Sequence, residues 1–227
     1  MSLLLETGIY SIPEAARLTR VSSRRIRGWL TGYALRTKAG TRHSAAVWQG
    51  QLPPIDGKLA LGFLDLLEVR CLDALLSTGI SWRFLRQAHG KARTLLGHDH
   101  PFCTSRFATD GRTIFLETRE QSRGTCLWDI TDLQRVFDKI IQPFLMDVEY
   151  GAEQAPLRWW PRGREHRVVI DPRRNLGQPT IGTVGIPTRV LAAAVTANGS
   201  VAGVARWFEV PAAVVTEAVK YESSLNA

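Results

Sequence analysis

The stretch SIPEAARLTRVSSRRIRGWL, residues 11–30, decides the fold of the amino-terminal part of this chain. Ser11 and Glu14 stand at the spacing of a capping box, in which the hydroxyl accepts from the amide three residues on and the carboxylate returns to the cap amide. Pro13 fits the first helical turn, where its missing N–H costs nothing. The spacing therefore predicts a helix that begins at Ile12.

A second helix is predicted directly after the first. Residues 19–21 interrupt the helical period, and Ser22 can cap a helix whose apolar positions, Ile26, Trp29 and Leu30, point inward while arginines face outward. Two short helices with a tight turn and a basic second helix are typical of a helix-turn-helix, whose second helix enters the major groove of DNA. We therefore expect this helix to contact DNA through Ser22, Ser23, Arg24, Arg25 and Arg27.

The net positive charge lies in the same region. Of the formal charge of +8, the segment between Ala15 and Ile55 supplies eight Lys or Arg and no acidic residue, while the rest of the chain holds 21 of each sign. A basic run by itself more often only keeps a protein soluble. Together with the helix pair, it favours phosphate binding by counterion release.

Residues 31–54 are rich in Gly, Thr, Ser and Pro and have little periodicity, which predicts a loop or a small wing. A wing would lay three more cations along the DNA backbone: Arg36, Lys38 and Arg42. A disordered surface loop fits the composition equally well.

Two longer helices are predicted next. Residues 59–77 have apolar positions near helical spacing, with Asp65, Glu68 and Asp73 left for other faces. Ser81 opens a further helix, residues 82–96, that Gly97 ends. Its apolar stripe is more typical of a core or a dimer seam than of a ligand site, and consists of Trp82, Leu85, Ala92, Leu95 and Leu96.

Residues 98–103, HDHPFC, contain metal-ligand types, but adjacent residues in a loop before a proline rarely converge on one ion, so we expect no metal and no cofactor. Three cysteines without a C-x-x-C spacing indicate reduced thiols: Cys71, Cys103 and Cys126.

The Asp-Gly pair within residues 106–117, RFATDGRTIFLE, predicts a β-hairpin. A helix capped by Thr131 is predicted through residue 140, with Pro143 kinking or ending it.

Residues 151–166 turn to Pro, Gly and Arg around two tryptophans, which predicts three segments: residues 1–150, a linker at 151–166, and residues 167–227. The last segment should hold short extended stretches at 168–170 and 177–181 and three helices, at 189–197, 201–208 and 212–222. Its last two helices resemble a helix-turn-helix without an arginine row, which fits partner binding or dimerisation better than base reading. The fold class is thus mainly α with small β-hairpins.

Two stretches resemble known families. Residues 10–30 resemble the opening of MerR-type (winged helix-turn-helix) DNA-binding domains, and LGFLDLLEVRCLDALLSTGIS, residues 61–81, resembles the helix that follows there. Residues 168–195, VVIDPRRNLGQPTIGTVGIPTRVLAAAV, and 200–222, SVAGVARWFEVPAAVVTEAVKYE, are similar to the bacterial domain-of-unknown-function 433 family. That resemblance implies an antitoxin of the VapB kind that neutralises a PIN-type ribonuclease toxin. The turn at residues 182–187 departs from the family pattern, being one residue longer and lacking its arginine.

The leading hypothesis is an antitoxin that blocks this toxin and, as a homodimer, binds double-stranded operator DNA to repress its own transcription. Residues 158–189 hold seven arginines against two acidic residues, and an arginine among Arg158, Arg162, Arg164, Arg167, Arg173 and Arg174 could enter the acidic metal site of the nuclease. The predicted toxin-binding residues are Trp159, Trp160, Arg162, Arg164, Arg173, Arg174 and Arg189.

The alternative is a one-component repressor that senses a small ligand near Trp82, Phe84 and Trp128. An enzyme is the least supported class, because the sequence has no nucleophile elbow, phosphate loop or metal motif. No apolar run approaches eighteen residues, and residues 1–8 lack the pattern of a signal peptide, so we expect a cytoplasmic protein without a membrane span.

Overall fold

The computed structural model describes residues 6–37, 40–121, 135–151 and 154–226. The fold is mainly helical with small antiparallel sheets, as predicted. The helices are α1 (Ile12–Thr19), α2 (Ser23–Thr31), α3 (Phe63–Ser77), α4 (Trp82–Leu96), α5 (Ser105–Gln121), α6 (Gln142–Met146), α7 (Thr188–Asn198), α8 (Val201–Trp207) and α9 (Ala212–Leu225). The strands are β1 (Tyr10–Ser11), β2 (Tyr33–Thr37), β3 (Gly40–Ser44), β4 (Ala60–Leu61), β5 (Val148–Tyr150), β6 (Pro156–Trp159), β7 (Val168–Val169), β8 (Thr180–Ile181) and β9 (Ile186–Pro187).

The predicted caps of the first two helices are present. The Ser11 hydroxyl accepts from the Glu14 amide at 3.3 Å, and the Glu14 carboxylate accepts from the Ser11 amide at 3.2 Å. Helix α1 ends at Arg20, which takes the left-handed conformation at φ 60°. Ser22 then caps α2 by accepting from the Arg25 amide. These short-range interactions set both helix starts where the sequence predicts them.

A β-hairpin follows α2 where the sequence predicts a loop or a wing. Strands β2 and β3 pair from Tyr33 with Ser44 to Thr37 with Gly40. The hairpin packs onto α2 at Gly28, where a Cβ atom would lie 2.1 Å from Cζ of the Tyr33 ring. The glycine in α2 therefore makes room for the first side chain of the hairpin.

Helix α3 buries two carboxylates, so the expectation that Asp65 and Glu68 occupy faces away from the core is wrong; both side chains are 0% exposed. Asp65 is satisfied by distant segments of the chain. Its Oδ1 lies 2.7 Å from both Trp48 Nε1 and His100 Nε2, and its Oδ2 accepts from the backbone amides of Gln51 and Gly62 at 2.9 Å. Buried carboxylates are tolerated when they are hydrogen-bonded in this way.

Glu68, about one helical turn after Asp65 on α3, is also a buried carboxylate whose oxygens accept hydrogen bonds. Its carboxylate accepts from the amides of Phe102 and Cys103 at 3.1 and 3.0 Å, and His89 Nε2 lies 2.9 Å from its Oε1. The two carboxylates thus hold residues 100–103 against α3. Among the described residues, no group of three His, Cys, Asp or Glu could hold a metal ion.

The predicted hairpin at residues 106–117 is wrong, because this segment belongs to helix α5. Gly111 does not form a turn. It packs inside the helix against Phe107 and Phe137, whose rings lie within 3 Å of where a Cβ atom would stand. Phe107 and Phe115, eight residues apart, are both buried, so the helical period outweighs the local turn signal.

The helix predicted through residue 140 continues further than expected. A π-helical turn, Phe137–Ile141, leads directly into α6, which ends at Met146. Pro143 sits in the first turn of α6, where the absence of an amide is tolerated. The expected cap at Thr131 lies outside the described residues.

The stretch predicted as a linker contains β6, which pairs with β5, and its Trp159 belongs to the main core. Strands β7, β8 and β9 then form a sheet against α7, α8 and α9, around a second core that includes Val168, Leu191 and Val215. The strands and the three helices expected in this carboxy-terminal unit are present. The division of the chain into three segments remains a prediction.

The carboxy-terminal unit contacts the first helix pair directly. The Tyr10 hydroxyl donates to the Gly177 carbonyl at 2.7 Å, and Arg17 Nη1 lies 2.9 Å from Glu222 Oε2. Arg20 donates to the Ser224 carbonyl at 2.7 Å.

Over the residues that the structure describes, no helix combines the length and apolarity needed to cross a bilayer.

Candidate nucleic-acid interface and partner surface

The arginines of α2 have different environments. Arg24 and Arg27, three residues apart on the helix, are exposed. Arg25 instead bonds to Asp73 of α3 at 2.5 Å, and its guanidinium lies 5.1 Å from the centre of the Trp29 ring. Ser22 is exposed and Ser23 half-buried. Of the three predicted arginines, Arg24 and Arg27 are therefore the ones open to a ligand.

The β2–β3 hairpin, which follows α2 in the chain, contains two further predicted DNA-binding residues. Arg36 pairs with Thr41, and Leu35 pairs with Arg42, in the backbone register of the hairpin. The segment after the hairpin is joined to α2, because the amide of Val47, three residues after β3, donates to the Trp29 carbonyl at 2.8 Å. Lys38 lies outside the described residues.

Two basic residues of the first helix and its cap are engaged by the chain itself. Arg17 pairs with Glu222, and Arg20 donates to the Ser224 carbonyl, both on α9. With Arg25 held by Asp73, three cations of this region have intramolecular partners among the described residues. The positive charge of this region that is free for an external ligand is consequently smaller than the sequence count indicates.

An apolar pocket of about 390 Å³ lies between α2, the hairpin and helices α3 and α4. Trp29 and Trp82 form its stacked wall, with ring centres 5.9 Å apart and an interplanar angle of 16°, and Tyr33 meets Trp82 edge-on. The sequence predicts a ligand near Trp82, Phe84 and Trp128. Phe84 is instead a core residue against Phe115, and Trp128 lies outside the described residues.

Three of the predicted toxin-binding residues line one cleft. Trp160, Arg164 and Arg174 meet there, beside Arg158 and Arg167, around a volume of about 420 Å³. We call this the arginine cleft. Its floor is formed by residues of β6, β7 and β8, so the cleft rests on the sheet of the carboxy-terminal unit and the strand before it.

The buried Asp171 organises the inner region of the arginine cleft. Its Oδ2 accepts from Arg158 Nε at 2.9 Å and lies 3.8 Å from Arg174 Nε, while its Oδ1 accepts from the Arg173 amide at 3.0 Å. The hydrogen bond to Asp171 raises the pKa of Arg158 above its ordinary value. Arg158 also lies 3.4 Å from Glu149, so its position is fixed by two carboxylates.

The remaining predicted toxin-binding residues lie elsewhere. Trp159 is buried in the main core, with the Arg70 guanidinium 4.7 Å from its ring centre. Arg162 Nη1 lies 3.6 Å from Glu217, and Arg173 Nε lies 3.8 Å from Glu6. Arg189 is exposed at the start of α7, outside the cleft.

Sequence reasoning missed an exposed tryptophan on α8. Trp207 is 71% exposed, and its ring centre lies 5.8 Å from that of Phe208. The signal was available, because the inward positions of this segment, Val201, Val204, Ala205 and Phe208, follow helical spacing and leave Trp207 off the apolar face. Exposed tryptophans are frequent anchors in protein interfaces.

Comparisons with known proteins give a relative in sequence and a match among solved structures. No family model matches the chain. A protein of Mycobacterium tuberculosis (strain ATCC 25618 / H37Rv), named "Putative antitoxin VapB45", is 24% identical over 201 residues, covering 82% of this chain and 82% of the relative. The X-ray crystal structure of Rv2018 from Mycobacterium tuberculosis matches with a TM-score of 0.71 at 18% identity, covering 95% of this chain and 99% of the other. The structural match shows a shared fold.

Proposed function

We propose that this protein is the antitoxin of a type II toxin–antitoxin pair, a regulatory binding protein rather than an enzyme. The observation that carries the proposal is the similarity to "Putative antitoxin VapB45", which extends over 82% of both chains. A match of that extent covers most of the chain. The fold, with two separate groups of exposed arginines, supports a protein that binds two different partners.

The proposed protein partner is a PIN-type ribonuclease toxin, as the resemblance of residues 168–222 to the domain-of-unknown-function 433 family implies. The active sites of such nucleases are acidic, so guanidinium groups are suitable contacts. Because Trp159 is buried, its role would be to support the surface from inside. The proposed contacts are the accessible members of the predicted set: Trp160, Arg162, Arg164, Arg173, Arg174 and Arg189.

The proposed nucleic-acid partner is the operator of the protein's own transcription unit. Arg24 and Arg27 stand exposed on α2, and the β2–β3 hairpin with Arg36 and Arg42 follows that helix. This arrangement supports a winged helix-turn-helix in which α2 lies in the major groove. Operators of such proteins are usually two-fold symmetric, so we expect a homodimer on DNA.

The test is co-purification with the product of the adjacent gene, followed by a nuclease assay. The expected result is a stable complex in which RNA cleavage is suppressed. A variant with Arg162, Arg164, Arg173 and Arg174 all changed to Glu should release the nuclease. If that variant still forms the complex and still suppresses cleavage, the arginines are not the contacts; absence of any complex with the wild type refutes the antitoxin role.

A ligand-sensing repressor is the second candidate, supported by the pocket of about 390 Å³ between Trp29, Tyr33, Leu76 and Trp82. A ligand there would touch α2 and the hairpin together, and could thereby change DNA affinity. A thermal-shift screen with small aromatic compounds tests it. A compound that raises the Tm of the wild type but not of Trp82→Ala favours this candidate, whereas a full screen without such a compound counts against it.

A further inference from the structure

The arginine cleft carries more positive charge than its own acidic residues neutralise. Arg158, Arg164, Arg167 and Arg174 line it, and the acidic residues there are Asp171 and Glu165. Asp171 is already engaged by Arg158 and by the Arg173 amide, and the Glu165 side chain is 74% exposed. The cleft therefore retains guanidinium groups that have no carboxylate to bind.

Three of these guanidinium groups have no close hydrogen bond to a carboxylate among the described residues and are open to a ligand. Arg164 makes one hydrogen bond within the part of the chain that the structure describes, of 3.3 Å to the Val148 carbonyl. Arg167 is exposed, and within the described ranges its side chain has no hydrogen-bond or ion-pair partner. Arg174 is 3.8 Å from Asp171, which is too long for a strong hydrogen bond. Planar guanidinium forks that surround one space suit the several oxygens of a phosphate group.

Trp160 gives the cleft an aromatic wall beside these cations. The side chain is half-buried, and its indole Nε1 is shielded from solvent without an acceptor among the described residues. A buried donor without a partner is unusual in a folded protein. An indole face next to guanidinium groups is the combination with which proteins hold a nucleobase and its phosphate, because every base offers a π-face for stacking.

The size of the cleft limits the ligand. A volume of about 420 Å³ lies in the range of small-molecule sites and fits one nucleotide rather than a folded nucleic acid. We infer that the arginine cleft binds a nucleoside 5′-monophosphate, with the base against Trp160 and the phosphate between Arg164, Arg167 and Arg174. The group can come from a free nucleotide or from the 5′ end of an RNA chain. This site lies within the proposed toxin-contacting surface, but its assignment does not rest on the toxin.

Calorimetric titration of the full chain with adenosine 5′-monophosphate, ribose 5-phosphate, adenosine and inorganic phosphate tests the inference. The monophosphate should bind at least about tenfold more tightly than each of the other three, because a base contact and charge-assisted hydrogen bonds both contribute. Ribose 5-phosphate measures the base contribution without any change to Trp160. Equal affinities for the monophosphate and for inorganic phosphate would overturn the assignment.

Variants then locate the site. Arg167→Gln and Arg174→Gln should each weaken the monophosphate at least about tenfold, since each removes a charge-assisted contact. Arg206→Gln is the matched control, because Arg206 is exposed on α8 outside the cleft, and its affinity should equal that of the wild type. Equal Tm values would show that the variants are folded. Unchanged affinity in both cleft variants contradicts the inference.

Titrations with trinucleotides and with an acidic peptide distinguish three possible ligands: a free nucleotide, the 5′ end of an RNA chain and an acidic protein segment. A 5′-phosphorylated trinucleotide that binds more tightly than the mononucleotide identifies an RNA end as the ligand, while the reverse order identifies a free nucleotide. The 5′-hydroxyl trinucleotide should bind weakly in either case. A glutamate-rich hexapeptide that binds the cleft more tightly than the monophosphate would instead mark the cleft as a carboxylate-binding protein interface and overturn the nucleotide assignment.

Discussion

His100 and Asp65 are joined in the protein interior, with His100 Nε2 2.7 Å from Asp65 Oδ1. Burial of the ring opposes its protonation, but the hydrogen bond to Asp65 and the charges of Asp65, Glu68 and Asp99 outweigh that effect. The pKa of His100 is therefore raised above its ordinary value of 6.5. The His100–Asp65 contact ties the segment before α5 to the first turn of α3.

This pair makes stability depend on pH. Because the folded pKa of His100 is raised, its contribution is fully present below the unfolded value of 6.5 and is lost as pH rises through the folded value. We expect the urea midpoint of the wild type to fall as pH rises from about 6 upward. His100→Gln, which can still donate to Asp65, should be less stable at low pH and should lack most of this dependence. Identical pH profiles for the two proteins would contradict the assignment.

Features that depend on residues close together in the sequence could be predicted, whereas features that depend on distant residues could not. The caps of α1 and α2 join residues three positions apart, so Ser11, Glu14 and Ser22 predict them correctly. The burial of Asp65 and Glu68 depends on partners up to 35 residues away, which no local pattern reveals. The hairpin prediction for residues 106–117 is wrong for the opposite reason. The Asp110-Gly111 pair is a strong local turn signal, but the packing of the buried phenylalanines favours a helix.

Gly111 tests that packing. In Gly111→Ala, the new Cβ would stand 2.6 Å from Phe137 Cε1 and 2.8 Å from Phe107 Cε2. Overpacking typically costs about 1–3 kcal/mol, while alanine gains about 1 kcal/mol over glycine in a helix, so we expect net destabilisation of up to about 2 kcal/mol. Denaturant unfolding measures the change.

Gly90 provides the matched control for this substitution. It lies in α4, and its Cβ position has no atom within 4 Å. Gly90→Ala should therefore stabilise the protein by about 0.5–1 kcal/mol through helix propensity alone. If both substitutions stabilise equally, Gly111 is not packed against the two rings.

The candidate sites show the same division between local and long-range information. Exposure of Arg24 and Arg27 follows from the helical period of α2, which the sequence contains. The engagement of Arg25 by Asp73 and of Arg17 by Glu222 depends on contacts across 48 and 205 positions, which composition cannot show. The arginine cleft, likewise, exists because β6, β7 and β8 bring separate arginines together.

Glu222 links the carboxy-terminal unit to α1. Its carboxylate lies 2.9 Å from Arg17 Nη1 and accepts from the Thr188 hydroxyl. Glu222→Gln keeps an acceptor for Thr188 but removes the charge, so we expect a loss of about 1–2 kcal/mol in the free energy of unfolding. Glu209→Gln is the control, because Glu209 is exposed, and it should change stability by less than about 0.5 kcal/mol. A loss no larger than that of the control would show that the ion pair does not hold the units together.

The arginines of α2 should separate into two classes on DNA. Arg24→Ala and Arg27→Ala should each weaken operator binding, by about 1–3 kcal/mol for an arginine bidentate to guanine. A lost phosphate contact should instead weaken all sequences similarly and reduce the salt slope by about one.

Arg25→Ala removes the contact with Asp73 and the packing on Trp29. Since this ion pair is partly exposed, we expect a stability change of up to about 1 kcal/mol, with operator affinity and salt slope close to those of the wild type. Fluorescence anisotropy with the upstream DNA fragment at several salt concentrations, together with urea unfolding, measures both quantities for all three variants. A different result would make Arg25 a DNA contact: Arg25→Ala loses as much operator affinity as Arg24→Ala, while its free energy of unfolding stays unchanged. An indirect effect, in which α2 loses its support from α3, would lower the free energy of unfolding as well.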